Sequence, residues 1–418
     1  MCGIVGYIGE RNATEIILNG LKKLEYRGYD SAGIAVLQNG SIALRRDVGK
    51  LHRLAGLLNT DPIHGNLGIG HTRWATHGVP SERNAHPHLG KTGKVVVVHN
   101  GIVENFIELK EMLVAEGALF KSDTDTETIV LLVEKYLAEG MSLLEAARAT
   151  LRMLRGAHGI VLFSSDEPDK MITARIGNAG GVVLGLGEGE MFIASDIPAI
   201  LEHTRQMIFL ETHQMAVVSK DGVQVMSLEG EAVDYTVSSV AWDPVSAEKG
   251  EYRHFMQKEI HEQVRSLTDT LAGHADFEHS EIRLNELNLT KEFVKKINKI
   301  FITACGTAAH AGMVGKILIE SLARIPVEVE IASEFRYRDP IIGENDVVLA
   351  ISQSGETADT LAAMSLGKEK GATLWSIVNA VGSQAMRVAD GSISMQTGPE
   401  IGVASTKAFT APLVDLYM

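Results

Sequence analysis

The feature of this sequence that most restricts its fold is a change of hydrophobic pattern near residue 240. Beyond it, short β-branched runs alternate with segments of helical periodicity, in the order strand, helix, strand. This alternation predicts an α/β doubly wound parallel sheet with helices on both faces. The expected strands are 300–304, 327–331, 347–352 and 374–378, and the expected helices run from 252 to 272, from about 308 to 323 and from about 357.

The residues before this change predict a different, α+β architecture. Short apolar runs are joined by connections such as Lys220-Asp221-Gly222, which favour antiparallel hairpins. Helical spacing of apolar residues occurs between 102 and 113 and again from 126. Because strands and helices do not alternate regularly, we expect a layered domain. Its expected strands are 2–8, 33–37, 95–99, 159–163, 181–186, 191–194 and 215–218.

The chain of 418 residues is too long for a single hydrophobic core. The segment around Pro244, which is rich in small and charged residues, is typical of a linker. We therefore predict a first domain over 2–238, a linker over 239–251 and a second domain over 252–418. The final helix stops without a Gly or Pro terminator, so we expect the second domain to be truncated at its C-terminal end.

Composition and charge exclude several classes of protein. The 39 basic and 53 acidic residues give a net charge of −14, which argues against a nucleic-acid or anionic-membrane partner. The N-terminus does not match a secretory signal, and no apolar stretch reaches the roughly 18 residues of a membrane-spanning helix. Because Cys2 and Cys305 are the only cysteines, we expect no disulfide framework and a cytoplasmic location.

Cys2 becomes the first residue of the chain once the initiator Met1 is removed. Its thiol then lies beside a free α-amino group, whose ordinary pKa of about 7.7–8.0 suits a general base near neutral pH. A thiol and a base supplied by one residue are typical of an N-terminal nucleophile. The alternative is that Cys2 packs as a small hydrophobic residue, and its position alone does not decide between the two.

Two further patterns could supply partners for such a nucleophile. Asn100 and Gly101 end an apolar strand, where an amide and a backbone N–H can form an oxyanion hole. The alternative for Asn-Gly is an ordinary hairpin turn. Arg73 supplies a guanidinium that can clamp a substrate carboxylate, and its alternative is a solvated arginine in a surface loop.

Asp125 lies in a segment that predicts the start of a helix. Thr124 and Glu127 have the spacing of a capping box, so we expect them to cap that helix. Asp125 is then left to bind an α-ammonium group.

Five segments, in this order along the chain, resemble the class II glutamine amidotransferase domain of the glutamine–fructose-6-phosphate aminotransferase (isomerizing) family. They are 2–6, 24–33, 71–78, 84–88 and 99–101. The resemblance spans the first domain. It implies an N-terminal-nucleophile fold, an αββα sandwich in which two antiparallel sheets lie between helices.

The resemblance also implies the roles of seven residues. Trp74 is expected on the mobile loop that gates the passage of ammonia. The implied catalytic residues are the nucleophile Cys2 with Asn100 and Gly101 as the oxyanion hole, and the implied L-glutamine-binding residues are Arg73, Trp74, His86 and Asp125.

Small polar residues gather at three strand-to-helix junctions of the second domain, namely 305–308, 352–357 and 402–406. Free N–H groups and hydroxyls at helix N-termini can bind phosphate, and in a doubly wound sheet such junctions meet at the carboxyl ends of the strands. The alternative is that Ser and Thr only cap helices, although the hydroxyls of 352–357 crowd a single turn.

Segments 333–338, 352–360 and 400–410 resemble a SIS (sugar isomerase) domain of the same family. One departure is Ala308, which stands where family members often have Ser, so one phosphate-binding hydroxyl is missing. The resemblance implies sugar-phosphate contacts, with fructose-6-phosphate as the substrate, for Thr307, Ser352, Gln353, Ser354 and Thr357, with Val403 nearby.

Family members continue into a second SIS domain that carries the isomerisation residues and the lysine that forms a Schiff base with the sugar. We therefore expect these 418 residues by themselves to hydrolyse glutamine but not to complete glucosamine-6-phosphate synthesis. The resemblance implies no cofactor and no metal, and a homodimer for the full-length protein.

Four alternatives were weighed against this interpretation. Histidines between 71 and 99 could bind a metal, but their spacing fits no common zinc pattern. Gly185 to Gly189 hints at a dinucleotide loop, but a strand follows it, which favours a turn. A different class II amidotransferase would need a pyrophosphate or Ser-Gly-Gly nucleotide loop, and neither occurs. A sugar-phosphate-binding SIS regulator with a silent first domain would bind ligand without turnover.

Overall fold

The fold is described from a computed structural model of the chain, over residues 2–25, 28–178, 181–240 and 250–418. The chain divides into two compact units, residues 1–241 and 242–418. Most of the expected linker, 241–249, lies outside the described residues, so the predicted domain boundaries stay predictions.

Most strands of the first unit are short and apolar, and its helices lie between them in the chain. The elements are β1 (Gly3–Ile8), α1 (Ala13–Leu24), β2 (Ser31–Gln38), β3 (Ser41–Val48), α2 (Leu51–Thr60), β4 (Leu67–Arg73), β5 (His88–Leu89), β6 (Val95–Gly101), α3 (Phe106–Ala115), α4 (Thr126–Ala138), α5 (Leu143–Met153), β7 (His158–Ser164), β8 (Glu167–Ile176), β9 (Val183–Leu186), β10 (Met191–Ala194), β11 (Gln206–Phe209), β12 (Gln214–Ser219), β13 (Gly222–Ser227) and β14 (Ser238–Ser239).

These strands form two sheets, and every pairing between neighbouring strands is antiparallel in the part of the unit that is described. One sheet has the order β14-β11-β9-β10-β1-β4-β2-β3, and the other has the order β13-β12-β8-β7-β6-β5. In the first sheet, Gly3 of β1 lies opposite Thr72 of the neighbouring strand β4. In the second sheet, Asn100 of β6 lies opposite Gly159 of β7.

Period-two alternation in β6 shows how the layers are built. Val96 and Val98 pack into the core between the sheets, together with Ile4 of the first sheet. Val95 and Val97 face the other way, into a core that they share with α4 and α5. Because α1 covers β1 and β4 on the outer face of the first sheet, the order of layers is helix, sheet, sheet, helix.

The second unit has the βαβ alternation that the sequence predicts. Its elements are α6 (Phe255–Leu271), β15 (Ala275–Asp276), β16 (Glu281–Ile282), α7 (Lys291–Val294), β17 (Lys299–Ala304), α8 (Thr307–Leu322), β18 (Val327–Ile331), α9 (Ala332–Arg338), β19 (Asp346–Ser352), α10 (Ala358–Glu369), β20 (Thr373–Val378), α11 (Gln384–Val388), β21 (Gly391–Ser394) and α12 (Lys407–Tyr417).

The sheet of this unit has the order β18-β17-β19-β20-β21, and all its pairings are parallel. Both of its faces are buried, because Ile300 and Ile302 pack on one side while Phe301 packs on the other. Strands β17 and β18, the first two of this sheet along the chain, lie on one side of the point where the strand order reverses. The third strand, β19, lies on the other side. This places the topological switch point between β17 and β19, where ligands of doubly wound sheets bind.

Two local expectations are wrong. Helix α3 begins at Phe106 with Asn105 as its N-cap, so residue 102 precedes the helix instead of starting it. Helix α4 has Asp125 as its N-cap, and the expected Thr124–Glu127 capping box does not form. The Glu127 carboxylate instead accepts hydrogen bonds from the backbone N–H groups of Lys121 and Ser122.

None of the helices among the described residues is long and apolar enough to cross a membrane.

Candidate functional site

Cys2 lies at the start of β1, the strand that pairs with β10 and β4 in the middle of the eight-stranded sheet. Its half-buried Sγ accepts a hydrogen bond from the backbone N–H of Trp74 at 3.2 Å. Burial raises the pKa of the Cys2 thiol, and the Trp74 N–H and the Arg73 guanidinium only partly oppose that effect. The thiol is therefore not ionised in advance, and a nearby base is needed to activate it.

Asn100 and Gly101 form the end of β6 and remain paired with β7, so they are not a hairpin turn. The Asn100 side chain donates a hydrogen bond from Nδ2 to the Cys2 carbonyl oxygen at 3.1 Å. Gly101 has a φ of 134°, and a Cβ there would lie 2.1 Å from the Ala157 carbonyl oxygen. Only glycine fits this position, because a side chain would be strained and would also collide.

Arg73 is the last residue of β4 and is 3% exposed. Its Nη2 donates to the carbonyl oxygens of His77 and Gly78. Its Nη1 is buried and has no hydrogen-bond partner among the described residues. Since leaving a buried charged donor unpaired is costly, this atom is suited to an acceptor that arrives with a ligand, such as a carboxylate.

Trp74 carries its ring 47% exposed at the surface, edge-on to the ring of Tyr29 at 5.3 Å. The backbone of its segment is tied down on both sides, through the Trp74 N–H to Cys2 and through the Ala75 N–H to the Asp30 carboxylate. The ring is thus exposed while its backbone stays fixed beside the thiol.

His86 is buried, and its ring stacks on that of His71 at a centroid distance of 4.3 Å. Its Nε2 lies 3.0 Å from the Thr126 hydroxyl. Burial lowers the pKa of His86 well below its ordinary value, and the neighbouring histidines add to that effect. His86 is therefore a neutral ring packed beneath the site and not a cation at its surface.

Asp125 is 4% exposed, and its Oδ2 accepts a hydrogen bond from the Val103 N–H at 2.7 Å. Burial raises the pKa of this carboxyl group, and the Val103 N–H opposes that shift. The contact links Asp125, which caps α4, to the chain immediately after Gly101. The sequence left Asp125 free to bind an α-ammonium group, whereas here it is the N-cap residue of α4 and its carboxylate holds the backbone beyond β6.

These contacts join Cys2, Trp74, His86 and Asn100 into one network, whereas the side chains of Arg73 and Asp125 make separate contacts. Cys2 touches Asn100 and Trp74, and Asn100 also contacts His71, on which His86 stacks. Sequence reasoning did not assign roles to Asp30, His71 or Thr126, although each connects expected site residues. The only signal for these three residues in the sequence is that each is a polar residue inside or beside a buried strand. That signal does not show which residue each of them contacts.

The metal-binding alternative is not favoured by the geometry. The described residues contain no group of three or more His, Cys, Asp or Glu side chains arranged to hold a metal ion. The ring of His86 stacks on that of His71 and meets that of His88 edge-on, and the ring nitrogens of all three face hydroxyl or carbonyl oxygens where they have partners.

In the second unit, the expected sugar-phosphate residues lie mainly at the switch point. Thr307 is the first residue of α8, directly beyond the end of β17, and is exposed. Ser352 ends β19, and Thr357 is the N-cap of α10, with no hydrogen bond from its side chain to the helix. Because the parallel strands β17 and β19 are neighbours, their carboxyl ends present these groups on the same edge of the sheet.

The turn from Ser352 to Thr357 is held in a tight conformation. The Ser352 hydroxyl accepts a hydrogen bond from the Gly355 N–H at 3.0 Å, and Ser354 accepts one from the Glu356 N–H at 3.2 Å. Gly355 has a φ of 63°, and a Cβ there would lie 2.1 Å from the Ser383 hydroxyl oxygen. Gln353 and Ser354 are partly exposed on this turn.

Val403 lies on a separate loop and is 73% exposed. The loop is anchored by two buried carboxylates. Glu259 accepts from the N–H groups of Ile401 and Gly402, and Glu400 accepts from the N–H group of Thr406. The position of Val403 relative to a bound sugar stays a prediction.

Two family models match the chain, one for each architecture. A glutamine amidotransferase domain matches residues 59–230, and a SIS domain matches residues 293–418. The fold and the site thus define a class II glutamine amidotransferase domain followed by a SIS domain.

Curated relatives identify the family. Glutamine–fructose-6-phosphate aminotransferase [isomerizing] of Caldanaerobacter subterraneus is 51% identical over all of this chain and 68% of its own length. The protein of the same name from Clostridium tetani is 49% identical over the same shares. The chain belongs to the glutamine–fructose-6-phosphate aminotransferase (isomerizing) family.

A solved structure of distant sequence supports the fold. The glutamine phosphoribosylpyrophosphate amidotransferase of B. subtilis is 17% identical, with a TM-score of 0.50 over 90% of this chain and 81% of its own. At that identity the likeness concerns the fold alone. Together with the two antiparallel sheets and the parallel sheet, it confirms the predicted N-terminal-nucleophile and α/β folds.

Proposed function

We propose that the chain hydrolyses L-glutamine at Cys2, which is the glutaminase half of the reaction in which the family passes ammonia to fructose-6-phosphate and forms glutamate and glucosamine-6-phosphate. These 418 residues by themselves are expected to perform the glutaminase half only. Family membership supports the overall reaction. The observation that carries the assignment to this site is the contact between the Asn100 amide and Cys2 at 3.1 Å, next to Gly101. This contact supports a site in which the Cys2 thiol lies near two N–H donors, from Asn100 and Gly101, that can stabilise an oxyanion.

In the first step the Cys2 sulfur attacks the carboxamide carbon of glutamine. The thiol proton passes to the α-amino group of Cys2, which is free once Met1 is removed. Negative charge develops on the carboxamide oxygen, which accepts hydrogen bonds from the Asn100 side chain and the Gly101 N–H. Ammonia leaves with the proton, and water then hydrolyses the thioester to release glutamate.

Glutamine is held at its other end by groups of opposite charge. The buried Nη1 of Arg73 binds the α-carboxylate, which gives that atom an acceptor that it does not have among the described residues. The Asp125 carboxylate binds the α-ammonium group. His86 lines the site from beneath, and Trp74 borders it through the backbone N–H that faces the Cys2 sulfur.

The acceptor half of the reaction belongs to the second unit. We place the phosphate of fructose-6-phosphate at the turn from Ser352 to Thr357 and at Thr307, where N–H groups and hydroxyls bind anions without lysine. Gln353 and Ser354 contribute to the same pocket, and Val403 approaches the sugar. Ala308 offers no hydroxyl there, so one hydrogen bond to phosphate is absent.

We also infer that the full-length protein is a cytoplasmic homodimer. Helix α8 supports the dimer, because its apolar residues Met313, Val314 and Ile317, which share one face of the helix, are 49%, 40% and 68% exposed. Such a row is typical of a surface that another chain covers. Analytical ultracentrifugation of the full-length protein tests this inference, and a monomer at all concentrations would contradict it.

The central experiment measures glutamate release with and without fructose-6-phosphate, with glucosamine-6-phosphate assayed in parallel. Glutamate release by the wild type and its loss in Cys2→Ala support the glutaminase assignment. Equal release by Cys2→Ala would contradict it. Binding of fructose-6-phosphate without any glutamine turnover would instead identify a sugar-phosphate-binding regulator.

A further inference from the structure

The Asn100 carboxamide is held at both of its ends. Its Nδ2 donates to the Cys2 carbonyl oxygen at 3.1 Å, while its Oδ1 lies 3.1 Å from Nε2 of His71. The same His71 nitrogen lies 3.2 Å from the backbone carbonyl oxygen of His99. Within the described part of the chain, His71 alone hydrogen-bonds both the carboxamide oxygen of Asn100 and the His99 carbonyl oxygen.

The chemistry of these neighbours fixes the position of a proton. A backbone carbonyl can only accept, so the His71 Nε2 that it shares with Asn100 carries a hydrogen. The Asn100 atom that faces this hydrogen must then be its oxygen, and the NH₂ group must point toward Cys2. A carboxamide rotated by 180° would place two donors against each other.

The remaining atoms of His71 agree with this assignment. Its Nδ1 is buried and has no hydrogen-bond partner among the described residues, as suits a bare nitrogen without a proton. Burial lowers the pKa of His71 to about 3, and the nearby Arg73 guanidinium adds to that effect. The ring is therefore neutral and donates only from Nε2.

A second chain of hydrogen bonds fixes the neighbouring rings. His158 Nε2 faces the Arg155 carbonyl oxygen and so donates, which leaves its Nδ1 to accept from His99 Nε2. His99 Nδ1 then accepts from the Thr126 hydroxyl, whose oxygen accepts from Nε2 of His86. Each ring along this series of hydrogen bonds therefore has a single orientation. The fixed ring of His86 in turn supports the ring of His71 that stacks on it.

We propose that His71 is a positioning residue of the glutaminase reaction, which holds the Asn100 amide in the orientation that an oxyanion hole requires before glutamine binds. His71 acts through Asn100 and does not touch the substrate. The inference rests on the proposed function and adds a residue to it. Preorganised donors stabilise a developing charge without having to reorient during the reaction, so the effect falls on the transition state.

A near-isosteric pair of variants tests the role of the N–H group. His71→Gln keeps an N–H donor near the position of Nε2, whereas His71→Met fills similar space without one. We expect His71→Met to lower kcat of glutamine hydrolysis roughly 10- to 100-fold, with KM changed less than about threefold. His71→Gln should recover most of that loss.

His88→Met is the matched control within the same group of rings. His88 is buried, packs against His86, and has its Nε2 3.0 Å from the Thr124 hydroxyl, away from Asn100. A general packing defect would lower kcat equally in His88→Met and His71→Met, and this result would overturn the proposal. We expect His88→Met to retain kcat within about threefold of wild type.

Binding measurements separate positioning from simple substrate binding. An aldehyde analogue of glutamine adds to the Cys2 thiol and places an oxygen in the oxyanion hole. We expect His71→Met to weaken this analogue by the same factor as kcat/KM, while glutamine binding to the Cys2→Ala, His71→Met double variant matches that of Cys2→Ala. Equal weakening of both ligands would contradict a positioning role.

A spectroscopic measurement is independent of catalysis and of variants. In protein labelled with ¹⁵N-histidine, we expect the side-chain nitrogens of His71 to report the Nε2–H tautomer from pH 8 down to about pH 5. A proton on Nδ1 would overturn the inference even if the chain is a glutaminase. Conversely, if activity depends on Cys2 but His71→Met equals wild type, only the positioning role fails.

Discussion

At the scale of single residues, the site depends on groups that have no sterically acceptable replacement. Gly101 combines a φ of 134° with an Ala157 carbonyl oxygen 2.1 Å from the position of a Cβ. Arg73 combines near-complete burial with one unpartnered nitrogen, Nη1, within the described structure. The sequence alone does not reveal either feature. There, Asn-Gly was equally compatible with a hairpin turn, and Arg73 with a solvated arginine in a surface loop.

We expect Gly101→Ala to lower the free energy of unfolding by more than about 2 kcal/mol and to abolish glutamine hydrolysis. The control is Gly93→Ala, where φ is 75° and nothing lies within 4 Å of the added Cβ. Its cost should be only about 1 kcal/mol. Urea unfolding measures both variants, and equal losses would show that the Ala157 contact is unimportant.

We expect Arg73→Lys to raise KM for glutamine roughly 10- to 100-fold, because an ammonium group cannot replace the planar guanidinium fork against a carboxylate. The control is Arg45→Lys, since Arg45 pairs with Asp61 away from the site and should leave KM unchanged. Steady-state kinetics of glutamate release measure both. An unchanged KM in Arg73→Lys would remove Arg73 from the glutamine site.

At the scale of elements, the site is built where strands end. The carboxyl end of β6 supplies Asn100 and Gly101, and that of β4 supplies Arg73, while β1 begins beside Cys2. Five buried histidines lie in or beside these strands, and burial lowers the pKa of each: His71, His86, His88, His99 and His158.

These histidines predict a loss of stability in mild acid. An unfolded histidine takes up a proton below about pH 6.5, whereas the buried rings stay neutral until the pH approaches their lowered pKa, which is about 3 for His71 and about 4 for His158. Stability is therefore fully present above about pH 6.5 and falls as the pH decreases from there. Each such ring contributes about 1.4 kcal/mol per pH unit to the slope.

The variant His88→Gln tests this linkage, because it removes one titrating ring and can keep the contact with Thr124. The fall in the free energy of unfolding between pH 6.5 and pH 5.0 should be smaller than in wild type by about 2 kcal/mol. Urea unfolding at the two pH values measures the difference. Identical slopes would mean that His88 is protonated in the folded protein.

The sequence predicted the elements better than the contacts between them. Strand Val327–Ile331 was placed at its observed bounds, and helix α6 within three residues of its bounds, because apolar periodicity is a local signal. The capping box failed because Glu127 is used by the N–H groups of Lys121 and Ser122 and Thr124 by His88. These contacts depend on the tertiary fold, and spacing along the chain does not reveal them.

The candidate site could be predicted only in part, because many of its contacts also depend on the tertiary fold. The segments that resemble the family identified Cys2 and Asn100, which the fold brings together although they are distant in sequence. The contacts of His71 with Asn100 and of His99 with His158 join strands far apart along the chain. Without a family pattern, a buried histidine in a strand cannot be distinguished from one that merely fills the core.

At the scale of the whole molecule, each unit carries one half of the proposed reaction. The thiol and the proposed oxyanion donors lie in the first unit, and the turn proposed to bind phosphate lies at the switch point of the second. Substitutions in one half are therefore expected to have separable effects on the two ligands.

We expect Ser352→Ala to weaken binding of fructose-6-phosphate about tenfold, because Ser352 both offers a hydroxyl and fixes the turn through the Gly355 N–H. Glutamine hydrolysis without sugar should be unchanged. Ser365→Ala is the control and should bind normally, because Ser365 lies within helix α10, beyond the turn, and its hydroxyl donates to the Leu361 carbonyl oxygen. Calorimetric titration with fructose-6-phosphate measures the affinity of both variants. Normal binding by Ser352→Ala would mean that the phosphate binds elsewhere.

The most direct test of the central claim is covalent labelling of active protein with a diazoketone analogue of glutamine, followed by peptide mass spectrometry. The account predicts one label per chain, carried by Cys2 as the first residue, with activity lost in proportion to labelling. A label on Cys305 would contradict the account. So would a chain that was active before labelling and carries the label but still begins with Met1.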